Sequence, residues 1–286
     1  GITDRSAENT IYDDDGKTIK GYKNTETKTY SPTAESEFGS FLDNVLKLNI
    51  AEYSFDKSIY NADGEITEAE NTQMESARKS RDQLYTGLGQ FFDYGRSIAD
   101  QRSALQKATG NADYYFGGIS VDPTSGEVVV GFVDTTKPIY ATDENNEFLL
   151  DENNNKIIAG YEKADAEKRF DIGKEGGIAE FQTFIKDIED FGLADSRMAI
   201  ARNKAEGNTD ESKPVVGDSL SGYITDLTNA FQTGSGYYAL QSAREAVTGD
   251  AGLYLNGYTV DTETGDLIIG ITDRSAENTI YDDDGK

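Results

Sequence analysis

The chain has 286 residues, with 53 Asp plus Glu against 27 Lys plus Arg and a formal charge of −26; so negative a surface repels phosphate backbones and anionic lipid headgroups, which argues against nucleic acid and membrane surfaces as partners. It contains no Cys and no His, which removes disulfides, thiolate metal sites, the commonest metal ligand and the one side chain that titrates unperturbed near neutrality. No apolar run approaches the roughly 20 residues of a membrane helix and no signal peptide is visible, while a hydrophobic fraction of 36% with 13 Phe and 17 Tyr supports packed cores.

The first 17 residues, Gly1 to Lys17, recur letter for letter as Gly270 to Lys286, 269 positions later. Identity of that length marks a period of a tandem array, with the chain running into the start of the next copy. Asp13-Asp14-Asp15-Gly16 then reads as a turn ahead of the short strand Lys17-Thr-Ile-Lys-Gly-Tyr22. After Ser31-Pro32, a helix-starting pair, Phe38, Phe41, Leu42, Val45, Leu46, Ile50 and Tyr53 fall at helical spacing.

The segment Ile59-Tyr-Asn61-Ala-Asp63-Gly64-Glu65-Ile66-Thr67-Glu68-Ala-Glu70 lies between two helical patterns. Set against a helix-loop-helix calcium loop, Asn61, Asp63, Thr67 and Glu70 supply side-chain oxygens and Glu65 its backbone carbonyl, with Gly64 at the sharp turn. Ile59 stands where that loop needs its first Asp, and Thr67 with Glu70 also forms a helix-capping box. A calcium loop and a plain helix-connecting turn therefore compete here, and the missing first ligand favours the turn. Asp13 and Asp15, their copies Asp282 and Asp284, and Asp143-Glu-Asn-Asn146 are further oxygen-rich turns, for which local hydrogen bonding is the simpler use.

The second helix runs through Leu84, Leu88, Phe91 and Phe92, is expected to bend near Gly95, and stops at Thr109-Gly110. Strands follow, with Val121-Asp-Pro-Thr-Ser-Gly126-Glu-Val128 reading as strand, tight turn, strand. The adjacent tyrosines Tyr114-Tyr115 and Tyr237-Tyr238 sit where a helix gives way to a strand, a placement that suits packing better than a sugar-stacking platform.

Thr109 to Asp134 matches Thr248 to Asp273 at a constant offset of 139, with Gly110/Gly249, Tyr115/Tyr254, Gly118/Gly257, Asp122/Asp261, Gly126/Gly265 and Gly131/Gly270 identical. The match extends upstream through Leu88/Leu227, Phe92/Phe231 and Gly95/Gly234. In the second half Phe181, Phe184, Ile185, Ile188 and Phe191 repeat the first helix, and Leu220, Ile224, Leu227 and Phe231 the second. Asp151-Glu-Asn-Asn-Asn155 is a further hairpin turn, and the connection containing it is 11 residues longer than in the first half (Ile11/Ile139 at offset 128, Gly21/Gly160 at offset 139). Where the first half has its candidate calcium loop, the second has Arg202 to Asp210 and lacks the ligands.

The expected fold class is α+β, two similar tandem modules of ordinary domain size, each a helical hairpin joined to a small antiparallel sheet. Module one spans 1–130, module two 131–269, and 270–286 begins the next copy. The boundaries fall inside strands, since Val128-Val-Val130 runs straight into Gly131 and Leu267-Ile-Ile269 into Gly270.

Near-identical acidic repeats without Cys, rich in Asp, Asn, Thr, Gly and Tyr, resemble in architecture and composition the giant tandem-repeat surface and fibre proteins of bacteria. Bacterial flagellar filament proteins have a similar composition, but their assembly uses terminal helices and the ends here are strand-like. The resemblance implies an extracellular or cell-surface structural unit of a fibre, filament or stalk. Its partners would be neighbouring repeats or copies of itself, meeting head to tail through strand-like junctions. The alternatives are a ligand-binding or calcium-stabilised adhesin module, for which the longer connection in module two is the candidate element, and a hydrolase resting on carboxylates. No carboxylate pair or Ser/Lys arrangement stands out, so the chain is not expected to be an enzyme.

Overall fold

The computed structural model describes residues 2–3, 10–12, 18–62, 64, 66–207 and 217–273, and it is an α+β fold of long helices and small antiparallel sheets. In chain order the elements are β1 (Ile2–Thr3), β2 (Thr10–Tyr12), β3 (Ile19–Tyr22), β4 (Asn24–Glu26), α1 (Glu35–Ala62), α2 (Glu68–Thr109), β5 (Tyr114–Val121), β6 (Val128–Tyr140), β7 (Ile158–Phe170), α3 (Gly177–Ala205), α4 (Gly217–Thr248), β8 (Leu253–Val260) and β9 (Leu267–Asp273). The run helix, helix, strand, strand thus occurs twice. The sheets are β1-β4, β2-β3, β5-β6-β7 and β8-β9, every pairing antiparallel.

The two helical hairpins pair alike. Phe38 of α1 stacks on Phe92 of α2 with ring centroids 4.0 Å apart, and their counterparts Phe181 of α3 and Phe231 of α4 stack at 4.4 Å. Further along the first pair, Asn49 Nδ2 donates to the Arg81 carbonyl and Arg81 meets Glu52 and Asp56, so α1 and α2 run antiparallel. The stops are alike too: Gly110 and Gly249 each donate to a carbonyl four residues back at 2.8 Å, and the Thr109 and Thr248 hydroxyls donate to the last turn of their own helix. α2 is continuous through Gly95. Ser31 and Pro32 lie before α1, which begins at Glu35 after a turn in which Ala34 N–H donates to the Ser31 carbonyl. Tyr237 and Tyr238 lie well inside α4 rather than at its end, because apolar and small residues carry the helix on to Thr248.

Compactness and repetition divide the chain differently. One compact unit is Gly1–Ala99 with Met198–Glu211, the other Asp100–Arg197 with Ser212–Lys286, whereas the sequence repeat breaks at 130/131. The reason lies in the second unit's core, where Leu105, Phe116, Val128 and Val130 from the first repeat are buried with Phe132, Phe170, Phe181, Phe184, Ile188, Phe191, Leu220 and Leu227 from the second. A strand pair at the end of one repeat is roofed by the helices of the next.

Candidate functional site: the junction sheet

β6 is the strand through which one repeat becomes the other, passing the 130/131 boundary without interruption. Its β-branched and aromatic residues suit a pleated surface, and alternate positions Val128, Val130, Phe132 and Asp134 are buried. On one side it pairs with β5 (Phe116↔Phe132, Ile119↔Val130, Val121↔Val128), and on the other with β7 (Val128↔Phe170, Val133↔Lys163, Ile139↔Gly160). The buried face meets α3 and α4: the Phe116 ring lies 6.4 Å from Phe184, 5.7 Å from Phe191 and 5.3 Å from Tyr223.

The β5-β6 turn is fixed by Asp122, whose carboxylate accepts the Thr124 and Ser125 N–H groups while Gly126 N–H returns to the Asp122 carbonyl. These bonds hold the Asp122 carboxyl below the usual carboxylate range. Gly126 has φ 77°, a left-handed conformation that glycine takes without steric cost. The turn also touches α4, for a Cβ built on Gly234 would lie 2.4 Å from the Gly126 carbonyl oxygen, and Gln241 donates to the Thr124 carbonyl. The sheet's polar end is held by Asp134, which accepts from the Thr136 N–H and hydroxyl and lies 3.2 Å from Lys137 Nζ, so its carboxyl too is held low.

Each half of this three-stranded junction recurs at one end of the chain in the same register. β8-β9 repeats β5-β6, with Leu255↔Ile271, Tyr258↔Ile269 and Val260↔Leu267 at offset 139 and the irregularity in the same place. Its turn is the same device: Asp261 accepts from Glu263 and Thr264, and Gly265 has φ 77°. The β6-β7 half recurs among the first strands, where Thr3↔Asn24 corresponds to Val133↔Lys163, and Thr10↔Tyr22, Ile11↔Gly21 and Tyr12↔Ile19 correspond to Pro138↔Tyr161, Ile139↔Gly160 and Tyr140↔Ile158. The 17-residue duplicate therefore contributes Ile2–Thr3 to one half-junction and Ile271–Thr272 to the other.

The longer connection of module two forms a small two-lobed tip. Tyr140-Ala-Thr-Asp-Glu-Asn-Asn-Glu147 and Phe148-Leu-Leu-Asp-Glu-Asn-Asn-Asn155 are two eight-residue units, and the backbone bonds close a ring: Ala141 N–H donates to Ile157, Leu149 to Ala141 and Ile157 to Leu149, each at 2.9 Å. In each lobe an Asp, 143 or 151, accepts two backbone N–H groups and an Asn takes positive φ (146 at 63°, 154 at 67°), and the carboxyls are held low by those bonds. Tyr140 and Phe148 meet edge to face at 5.8 Å with Lys156 Nζ 3.7 Å from the Phe148 centroid, and the tip leaves Phe148, Leu149, Leu150, Ile157 and Ile158 exposed. The repeated Asp-Glu-Asn-Asn with its eight-residue spacing was the available signal for this tip.

Of the candidate calcium residues, Asn61 lies in the last turn of α1 and Asp63 and Glu65 fall outside the described residues, as do Asp13 and Asp15. Thr67 and Glu70 form the capping box: the Glu70 carboxylate accepts the Thr67 N–H (2.8 Å) and hydroxyl (2.7 Å), and Glu70 N–H donates back to the Thr67 oxygen (3.3 Å). Those bonds hold the Glu70 carboxyl low. Among the described residues no cluster of three or more acidic groups is placed to hold a metal ion. Tyr115 packs at the core edge, its hydroxyl pushed up in pKa by burial and by the charge of buried Asp195, which accepts a hydrogen bond from Gln101 (3.0 Å). Tyr237 and Tyr238 are partly exposed on α4. No described helix is long and apolar enough to cross a membrane. No protein family, curated protein or solved structure matches the chain.

Proposed function

We propose that this chain is a structural repeat unit of an extracellular bacterial fibre, filament or surface stalk, joined head to tail through strand-paired junctions. The observation that carries the reading is the double use of one sequence: Gly1 to Lys17 and Gly270 to Lys286 are identical, and their described strands occupy complementary halves of the junction that β6 completes in mid-chain. A strand accepting partners on both edges carries tension and orientation from one repeat to the next with no flexible linker, which suits an extended array. A contact between unlike ends does not close on itself and grows fibres rather than rings. The test is removal of Gly270 to Lys286 followed by light scattering and electron microscopy. Loss of assembly supports the reading, and association equal to the intact chain overturns it.

The tip at Tyr140 to Ile158 favours a second reading, an adhesin module that presents a rigid apolar and aromatic knob. Calcium remains a proposed stabiliser of the carboxylate turns, acting by mass action on the folded state.

A further inference from the structure

The β8-β9 pair exposes the apolar row that its counterpart β5-β6 buries. Position by position at offset 139, Phe116 is 8% exposed and Leu255 55%, Val128 0% and Leu267 62%, Val130 0% and Ile269 53%, Phe132 1% and Ile271 47%. The same apolar row is thus sealed in one hairpin and bare in the other, and so contiguous an exposed patch marks an interaction surface. What seals the first is α3-α4, and α1-α2 is a hairpin of the same design, with the same Phe-Phe stack. Leu48 on α1 and Leu84 on α2, counterparts of the buried Phe191 and of Tyr223, which packs against the core, are 56% and 61% exposed.

A second, independent observation comes from glycine. Gly234 is required because α4 crosses the β5-β6 turn too closely for a Cβ beside the Gly126 carbonyl. Its counterpart on α2 is Gly95 and the counterpart of Gly126 is Gly265, yet a Cβ on either would have open space around it. Interior helix glycine is destabilising, and Gly39, Gly87, Gly89, Gly222 and Gly236 also stand in open space; what sets Gly95 apart is its register with Gly234, the helix position where the turn demands glycine.

We infer that the α1-α2 hairpin of a second copy of this chain seats on the apolar face of β8-β9, with Gly95 of that copy crossing the Gly265 turn, as α3-α4 seats on β5-β6. The inference rests on the head-to-tail reading and names the surface that reading uses: a sheet face roofed by helices in addition to paired edges.

The test is sedimentation velocity on the full chain from micromolar to millimolar concentration, with two variants. Leu267→Asp with Ile269→Asp charges only bare positions of the hairpin; Gly95→Ala adds one methyl in open space and stiffens α2. The wild type should associate progressively, and each variant alone should stay monomeric with its circular dichroism intact. An equimolar mixture of the two should give a dimer and nothing larger, since each retains one competent face. Gly236→Ala, also in open space on α4, should associate like the wild type. The inference is overturned if the wild type stays monomeric, if either variant associates as well as the wild type, or if the mixture stays monomeric. Junctions made by main-chain pairing alone would keep full association in both variants and lose it on removal of Gly270 to Lys286, so failure of this inference and failure of the head-to-tail reading are distinguishable.

Discussion

The paired glycines Gly95 and Gly234 should respond to the same substitution with opposite sign when stability of the single chain is measured. Glycine inside a helix costs about 0.5–1 kcal/mol relative to alanine. At Gly95 a new Cβ meets nothing within 4 Å, so Gly95→Ala should gain about that much. At Gly234 the Cβ would lie 2.4 Å from the Gly126 carbonyl oxygen and 2.7 Å from Ile172 Cδ1. The carbonyl belongs to a turn held by Asp122 and cannot rotate away, and overpacking of this kind costs about 1–3 kcal/mol. Less the propensity gain, Gly234→Ala should lose about 1–2 kcal/mol. For a chain of this size 1 kcal/mol moves the melting temperature by about 2–4 °C, so melts followed by circular dichroism at low concentration should separate the two by several degrees. Two shifts of the same sign, or stabilisation by Gly234→Ala, would refute the close approach.

Ile188→Ala, at a side chain with 0% exposure, should cost about 2–5 kcal/mol in denaturant titration, while Ile269→Ala, on the bare hairpin, should stay within about 0.5 kcal/mol at low concentration. Thr67→Ala removes the cap of α2 and should cost about 1 kcal/mol, read as loss of helical signal at a lower temperature. The carboxyls of Glu70, Asp122, Asp134, Asp143, Asp151 and Asp261 are all depressed by hydrogen bonds made only in the folded chain. Their stabilisation is complete above the unfolded carboxylate pKa of about 4 and is lost as pH falls through the lower folded values; an acid titration showing constant stability from pH 6 down to pH 2 would contradict it. If calcium tightens the carboxylate turns, millimolar calcium after chelation should raise the melting temperature, and superimposable melts would remove calcium from the account.

Much of the fold was legible because its signals are local. Helical spacing from Phe38 to Tyr53, the Thr67/Glu70 box, the Thr-Gly stops and the Asp-to-Gly turns each act within a few residues, and the stops and turns recur at offset 139. Boundaries set by long-range packing were not legible. The sequence places a break at 130/131, but Phe116 and Val130 are buried by Phe184 and Ile188 of the following repeat, a contact that no spacing encodes. Tyr237-Tyr238 was misplaced because α4 continues about four turns past Gly234. The ring of bonds at Ala141, Leu149 and Ile157 joins residues whose pairing depends on both lobes folding together. The bare face of β8-β9 was not legible, since its residue types match those of the buried strand β6.

The most direct test of the head-to-tail account is a protein in which Lys286 is followed by Thr18 of a second copy, so that the duplicated segment occurs once at the join. Hydrogen exchange at Leu267 to Asp273 should then be as slow as at Val128 to Asp134 at both internal boundaries of the fusion, with the join forming a three-stranded sheet under the second copy's α1-α2. Exchange at the join as fast as in the single chain would contradict the account.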